Sequence, residues 1–186
     1  MPVIAASEIR GLAASSDKEL KAALGQWLDS PPRRIDRLIL QCLLAAAPLK
    51  AQVRSNCGLY LASVHPARAT MGALLQAVCV QHKQPKPFEF VNSVSNAAGF
   101  HVAQQLGIEG PNLCIGAGDG VWSHLLALAN LDLQDGLIEQ ALLLVCDERG
   151  SFCVQALLLE GTTDAAPAID FARLSAGLDV QRRLFQ

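Results

Sequence analysis

The sequence predicts a layered α/β domain, a mixed sheet with helices on both faces, and three observations lead there. Short apolar runs of strand length alternate with segments whose apolar residues recur at helical spacing. The composition is 51% hydrophobic and only 17% charged. That balance suits a sheet covered on both sides, or an apolar surface covered by a partner. Near the C-terminal end, two strand-like runs, Ala141–Asp147 and Ser151–Glu160, are separated only by Glu148-Arg149-Gly150, so they are expected to form an antiparallel hairpin.

Taken in order, Val3 to Ala6 reads as a short first strand. Asp17 to Leu28 reads as an amphipathic helix announced by Ser15-Ser16-Asp17. Ser30-Pro31-Pro32 breaks the chain. Ile35 to Ala47 is apolar at helical spacing and stops before Pro48. Cys57 to Val64, bounded by Asn56 and His65-Pro66, reads as a buried strand. Ala69 to His82 follows as a helix with Met71, Leu74, Leu75 and Val78 on one side. Gln84 to Pro87, with its Pro-Lys-Pro, reads as a loop leading to Phe88 and Phe90. Asn96 to Leu106 is Ala-rich and helical, and Gly99 within it permits close backbone approach. Leu113 to Ile115 reads as a strand and Val121 to Leu133 as a helix, with Gly116-Ala117-Gly118-Asp119-Gly120 between them. After the hairpin, Ala168 to Leu174 reads as a further short strand or helix, and Gln181 to Gln186 as a polar tail. No internal repeat or low-complexity tract occurs.

At 186 residues the chain is expected to form a single domain spanning 1–186 with one ample core. The net charge of −2, without a basic block, speaks against nucleic acid as a ligand. No apolar run reaches the roughly 20 residues of a membrane span. Met1 to Ser7 lacks the basic start and long apolar core of a signal peptide, so a cytoplasmic location is expected. The six cysteines (Cys42, Cys57, Cys79, Cys114, Cys146, Cys153) lie scattered among apolar residues, with no CxxC and no Cys/His cluster. They read as buried free thiols rather than metal ligands, and neither metal nor cofactor is expected.

The polar residues offer little acid/base chemistry. His101 and His124 fall within helices, and His65 and His82 lie in turns without a carboxylate at a suggestive spacing. Asp147 and Glu148 are adjacent at a strand end, so their side chains point to opposite faces. The Ala-Gly-Asp-Gly segment lacks the Lys-Ser/Thr of a phosphate loop and the spacing of a dinucleotide fingerprint. Asp119 reads as a carboxylate favoured by the helix N-terminus that follows.

From Pro87 to Glu148 the chain runs PFEFVNSVSNAAGFHVAQQLGIEGPNLCIGAGDGVWSHLLALANLDLQDGLIEQALLLVCDE. It resembles the N-terminal half of the β-ketoacyl synthases of the thiolase superfamily. The shared features are Asn96 before a helix, Gly107 with Gly110-Pro111, the strand and glycine turn, a helix closing on Gly136, and a strand ending in acidic residues. The combination SVSNAAG with AGDG resembles more closely the chain length factors of aryl polyene and xanthomonadin pigment clusters. Fainter likeness extends to Arg33-Arg34-Ile35-Asp36-Arg37 and Cys57-Gly58-Leu59-Tyr60.

The resemblance implies a thiolase-like fold reduced to its N-terminal half. The position of the synthase cysteine falls on Asp119, and the half that carries the family's two catalytic histidines is expected to be missing. The long excursion that separates the last two strands in synthases is reduced to three residues. A non-catalytic chain length factor is implied: a subunit that completes a heterodimer or higher heteromer with a full-length catalytic ketosynthase and shapes its acyl tunnel. Met71, Leu74, Leu75, Val78, Phe88 and Phe90 are the candidate tunnel or interface residues, ordinary core packing being the alternative for that stripe. Asn96 is implied at a buried helix start near the interface, in a capping role, and Cys114 and Ile115 lie on a strand implied to pair across the dimer. An acyl carrier protein would be met through the complex. Two other readings stand beside this one: a scaffold module that binds an acyl carrier protein, and an independent decarboxylase or hydrolase using Asp119.

Overall fold

In the computed structural model, which describes residues 2–148, 151–164, 166 and 169–185, six strands form one sheet. The strands are β1 (Val3–Leu12), β2 (Cys57–Ser63), β3 (Asn112–Gly116), β4 (Gln140–Asp147), β5 (Ser151–Glu160) and β6 (Gln181–Phe185). Their order across the sheet is β3-β2-β4-β5-β1-β6. β2 runs parallel to β3 and β4, β5 is antiparallel to β4 and β1, and β6 is parallel to β1. The hairpin read between β4 and β5 is present, with Asp147 opposite Cys153; Arg149 and Gly150 of its turn lie outside the described residues.

Strand periodicity divides the core in two. Leu142, Leu144 and Cys146 of β4 pack with α1 (Asp17–Leu24), α2 (Arg37–Ala46) and α5 (Ala97–Leu106) on one face. Ala141 and Leu143 pack with Leu125, Leu126 and Ala129 of α6 (Val121–Gln134) on the other. Phe171 and Leu174 of the short helix α7 (Phe171–Leu174) join that second cluster, with the Phe171 ring 5.7 Å from Trp122. Thr163 and Ala166 are held against α6, Ser123 Oγ donating to the Ala166 carbonyl and Asn130 bonding Thr163 in both directions. Beneath, Tyr60 of β2 is fully buried and donates its hydroxyl to Asp132 of α6 at 2.5 Å. Burial, reinforced by that carboxylate, pushes the Tyr60 phenol well above its usual range.

Several boundaries depart from the sequence reading. β1 runs on to Leu12, because its polar residues are satisfied by α2 and by the neighbouring strand. Ser7 Oγ donates to the Ala45 carbonyl, and Glu8 accepts from Arg10 at 3.0 Å and Gln155 at 2.6 Å. The expected polar tail is strand β6 through Phe185, its charges placed by Arg182 facing Glu8 at 3.8 Å and Arg183 lying over the Phe185 ring. Ser16 caps α1 through a reciprocal bond with Glu19, and the helix stops at Leu24, short of Leu28. α2 starts after Asp36, whose side chain accepts from the Leu38 N–H, and a 3₁₀ stretch (Ala47–Gln52) carries the chain through Pro48. The helix read over Ala69–His82 is α3 (Arg68–Leu75) continued by a π turn, Gln76–Val80.

The Pro-Lys-Pro segment is not only loop. Pro87 is the first residue of a helix, α4 (Pro87–Ser93), and Glu89 accepts from the Lys86 N–H at 3.0 Å. A proline costs nothing at that position, where its missing N–H would have no intrahelical partner. Of the Ala168–Leu174 element, Phe171–Leu174 is helical, while residues 167 and 168 lie outside the described set. The cysteines are free, but Cys79 is exposed and Cys114 and Cys153 half-buried, so burial holds only for Cys42, Cys57 and Cys146.

Candidate functional site

β2, β3 and β4 end side by side at Ser63, Gly116 and Asp147, and the glycine turn leaves the sheet there. The Ala117 N–H donates to the Ser63 carbonyl at 3.0 Å, holding the turn against β2. Gly120 caps α6 at φ 71°, a left-handed conformation that favours glycine and sets the entry angle of the helix. No side chain caps this helix. Asp119 stands one residue before the cap, exposed, and its carboxylate makes no hydrogen bond among the described residues. The turn therefore presents a carboxylate at a helix entrance, with no base held against it.

The other reactive side chains stay apart from Asp119. Cys114 on β3 donates its thiol to the Ser95 carbonyl at 3.2 Å, and burial pushes that thiol up, away from a nucleophilic thiolate. Cys57 is fully buried and pushed up to about 12 by burial. His124 is exposed on α6. His101 is half-buried on α5, its ring edge-on to Phe100 and its imidazole held below the usual range by burial. Neither histidine is hydrogen-bonded to Asp119 among the described residues. Among the described residues, nucleophile, base and orienting group are not assembled here.

The apolar candidates are brought together, and mostly outward. α3, α4 and α5 contact one another in series. Met71, Leu75, Val78, Phe88 and Phe90 are exposed, Phe88 and Phe90 at 57% and 64%. Leu74 alone is buried, at 9%. Core packing is thus the role of Leu74, while the rest of the stripe faces outward. The sequence reading missed Val80, Val91, Val94 and Phe100, which extend the same face; the loop assignment before α4 hid their common side. Residues 71–100 carry nine of the fifteen large apolar side chains exposed among the described residues. A monomer rarely concentrates apolar surface in this way.

Beside this face lies β3, an edge strand of the sheet. Leu113 is 42% exposed, Ile115 and Cys114 are half-buried, and no charged side chain interrupts the strand. Asn96 occupies the cap position of α5 but makes no capping bond. Its Oδ1, the Asn112 Oδ1 and the His101 Nδ1 are buried without partners among the described residues. Both asparagine oxygens crowd Gly99, where a β-carbon would lie 2.4 and 2.5 Å from them. The expected capping role of Asn96 is thus replaced by an unpaired acceptor at the sheet edge. The opposite edge, β6, carries Arg182 and Arg183.

The sheet order, the helices on both faces and the strand–glycine turn–helix unit give the chain a fold similar to that of thiolase-like ketosynthases over their N-terminal part. Among solved structures, the chain is similar to one of the ketosynthase ApeO in complex with its chain length factor ApeC from Xenorhabdus doucetiae. The TM-score is 0.65 at 15% identity, over 87% of this chain and 79% of the other. It is also similar to the ishigamide ketosynthase/chain length factor, with a TM-score of 0.67 at 14% identity over 84% of this chain. There it spans only 51% of the matched chain. For a ketosynthase from module 6 of the bacillaene synthase of Bacillus subtilis 168, the TM-score is 0.51 at 13% identity, over 86% of this chain and 36% of that one. No family model and no curated protein sequence matches the chain. No helix among the described residues is long and apolar enough to cross a membrane.

Proposed function

We propose that this chain is a non-catalytic chain length factor, a single ketosynthase-like half-fold that pairs with a full-length catalytic ketosynthase. The observation that carries the reading is the coincidence of two features at one end of the sheet. The turn that would hold a nucleophile holds the unpartnered Asp119, and an extensive apolar face lies beside a receptive sheet edge. A subunit that shapes a tunnel needs apolar walls rather than acid/base groups, because burial of the acyl chain is what limits its length. The similarity of fold to a chain of the ApeO/ApeC structure, over 87% of this chain and 79% of that one, also supports the reading.

In this reading β3 pairs with its counterpart in the partner. The face from Met71 to Phe100 meets the partner's acyl tunnel, and the acyl carrier protein is met through the complex. The pathway is of the aryl polyene type, a reading supported by the SVSNAAG and AGDG segments. Copurification tests the proposal. Coexpressed with candidate ketosynthases, the chain is expected to elute with one that carries the cysteine and both histidines. Elution as a stable monomer beside such a partner would refute it.

A further inference from the structure

Charge is spread unevenly around the apolar face of α3, α4 and α5. Between Ala69 and Ile108 the only charged side chains besides the histidines are Lys83, Lys86 and Glu89, and none occurs from Asn112 to Gly118. The charges therefore gather where α3 gives way to α4, with α5 standing between them and the β3 edge. Lys83 is fixed there by its N–H, which donates to the Ala77 carbonyl of the π turn at 2.9 Å. Lys86 stands directly before Pro87, the first residue of α4. Arg34 joins them from the loop before α2, its guanidinium lying over the Phe88 ring at 5.4 Å and its carbonyl accepting from the Asn92 side chain at 2.9 Å. Arg33 is its neighbour in the chain.

All four cations are exposed, and none makes an ion pair among the described residues. Two carboxylates oppose them: Glu89, which accepts from the Lys86 N–H at 3.0 Å, and Asp29, before the Pro31-Pro32 break. Arg37 and Arg68 belong to a separate cluster with Asp17, Asp36 and Glu148, in which the signs nearly cancel. The excess of cations beside the face reverses the balance of the chain, which has 15 basic and 17 acidic residues. Covering these cations without anions would strand buried charge. The β3 edge, for its part, does not define its own register. Leu113 and Ile115 are uncharged, and a slip by two residues returns every side chain to its own face. A charged contact beyond α5 fixes the register and steers the approach.

Resting on the pairing proposed above, we propose that the ketosynthase partner presents carboxylates to Arg34, Lys83 and Lys86. Strand pairing and apolar burial hold the complex, while the charged end sets its register and its speed of formation. A ketosynthase with a basic surface there is rejected, so the cations also select among partners. An anionic lipid surface would answer cations beside aromatic rings, but it offers no strand to the β3 edge, and a protein answers both.

Carbodiimide coupling of the copurified complex is the direct test: it joins a lysine amine to a carboxylate in contact as an amide, the carbodiimide taking up the water. Mass spectrometry is expected to find Lys83 or Lys86 joined to an Asp or Glu of the ketosynthase. Lys18 and Lys50, exposed on α1 and on the 3₁₀ stretch, are expected to stay uncoupled. Kinetics supply the second readout. Lys83→Glu with Lys86→Glu is expected to slow association at least about tenfold at low salt, to leave dissociation within about threefold, and to lose its effect as salt is raised. Lys18→Glu with Lys50→Glu makes the same change in net charge and is expected to associate within about twofold of the wild type. A complex without coupling at Lys83 or Lys86, or equal association of the two double variants, would overturn the proposal and leave the pairing standing. No complex with any ketosynthase would overturn the pairing, and the proposal with it. If the Lys83 and Lys86 changes instead abolish capture of the free chain by vesicles of equal parts phosphatidylethanolamine and phosphatidylglycerol, with ketosynthase association unmoved, the cations serve a lipid surface and the proposal falls.

Discussion

Truncating Phe90 to alanine separates a tunnel wall from a core residue. At a well-packed core position this change costs about 3–5 kcal/mol. Phe90 is 64% exposed, so only about a third of its surface is buried within the chain. Scaling the roughly 1.5–3 kcal/mol for complete burial of such a side chain gives about 0.5–1 kcal/mol. Phe88 is 57% exposed and lies under the Arg34 guanidinium at 5.4 Å. That contact adds about 0.5–1 kcal/mol at an exposed site, so Phe88→Ala is expected to cost about 1–2 kcal/mol in all. Phe90→Ala is therefore the cleaner probe. In a reconstituted reaction with the catalytic partner, it is expected to lengthen the products while total yield stays near that of the wild type. Leu74→Ala, at a position 9% exposed on the same helical stripe, is the contrast. It is expected to cost about 2–5 kcal/mol and to lower every product alike. An unchanged length distribution with Phe90→Ala would refute the assignment of this face to the tunnel.

Four further outcomes are expected. Incubated with an acyl carrier thioester, the chain alone is expected to take up no acyl group by mass spectrometry, and neither Asp119→Cys nor Asp119→Asn should create condensing activity or change stability by more than about 0.5 kcal/mol. Leu113→Lys, placing a charge on the β3 edge, is expected to abolish pairing with the ketosynthase in sedimentation while leaving the thermal midpoint in place. Tyr60→Phe leaves the Asp132 carboxylate without its donor and is expected to cost about 1–3 kcal/mol, lowering the midpoint by roughly 2–12 °C for a chain of this size. Burial pushes the Glu8 carboxyl up, but hydrogen bonds from Arg10 and Gln155 and the charges of Arg10 and Arg182 outweigh it, so its folded pKa is depressed. The stabilisation is present above the unfolded value of about 4.3 and is lost as pH falls through the folded value, so the wild-type advantage over Glu8→Gln in denaturant melts should vanish on acidification.

Most of the fold is legible in the chain wherever apolar periodicity and neutral surroundings coincide. The runs Leu142–Cys146 and Leu157–Leu159 announce central strands because both faces are buried. β1 and β6 are not legible in full, because Ser7, Glu8, Arg182 and Arg183 obscure the alternation. Their acceptability depends on partners up to about 150 positions away, such as Gln155 for Glu8. α4 is hidden by prolines whose effect depends on position, harmless at a helix start and disruptive inside one. The stripe from Met71 to Val78 is visible as apolar at helical spacing, but spacing cannot say whether such a face looks inward or outward. Only packing distinguishes Leu74 from its neighbours. A cavity around Gln41 leaves no trace in sequence, since it is assembled from α2, α3 and the flanks of the β4–β5 turn, Gln41 lying more than a hundred positions from Glu148.

The two rims of the sheet are unlike, and that difference governs how far an assembly grows. A sheet receptive at both ends adds copies without limit, the geometry of fibres. Here Arg182 and Arg183 blunt the β6 rim, whereas β3 offers uncharged backbone beside Leu113 and Ile115. One receptive rim admits one neighbour and then has nothing left to offer. Under the proposed pairing, joining at β3 is self-limiting on this chain's side, because its other rim, with Arg182 and Arg183, faces away from the junction.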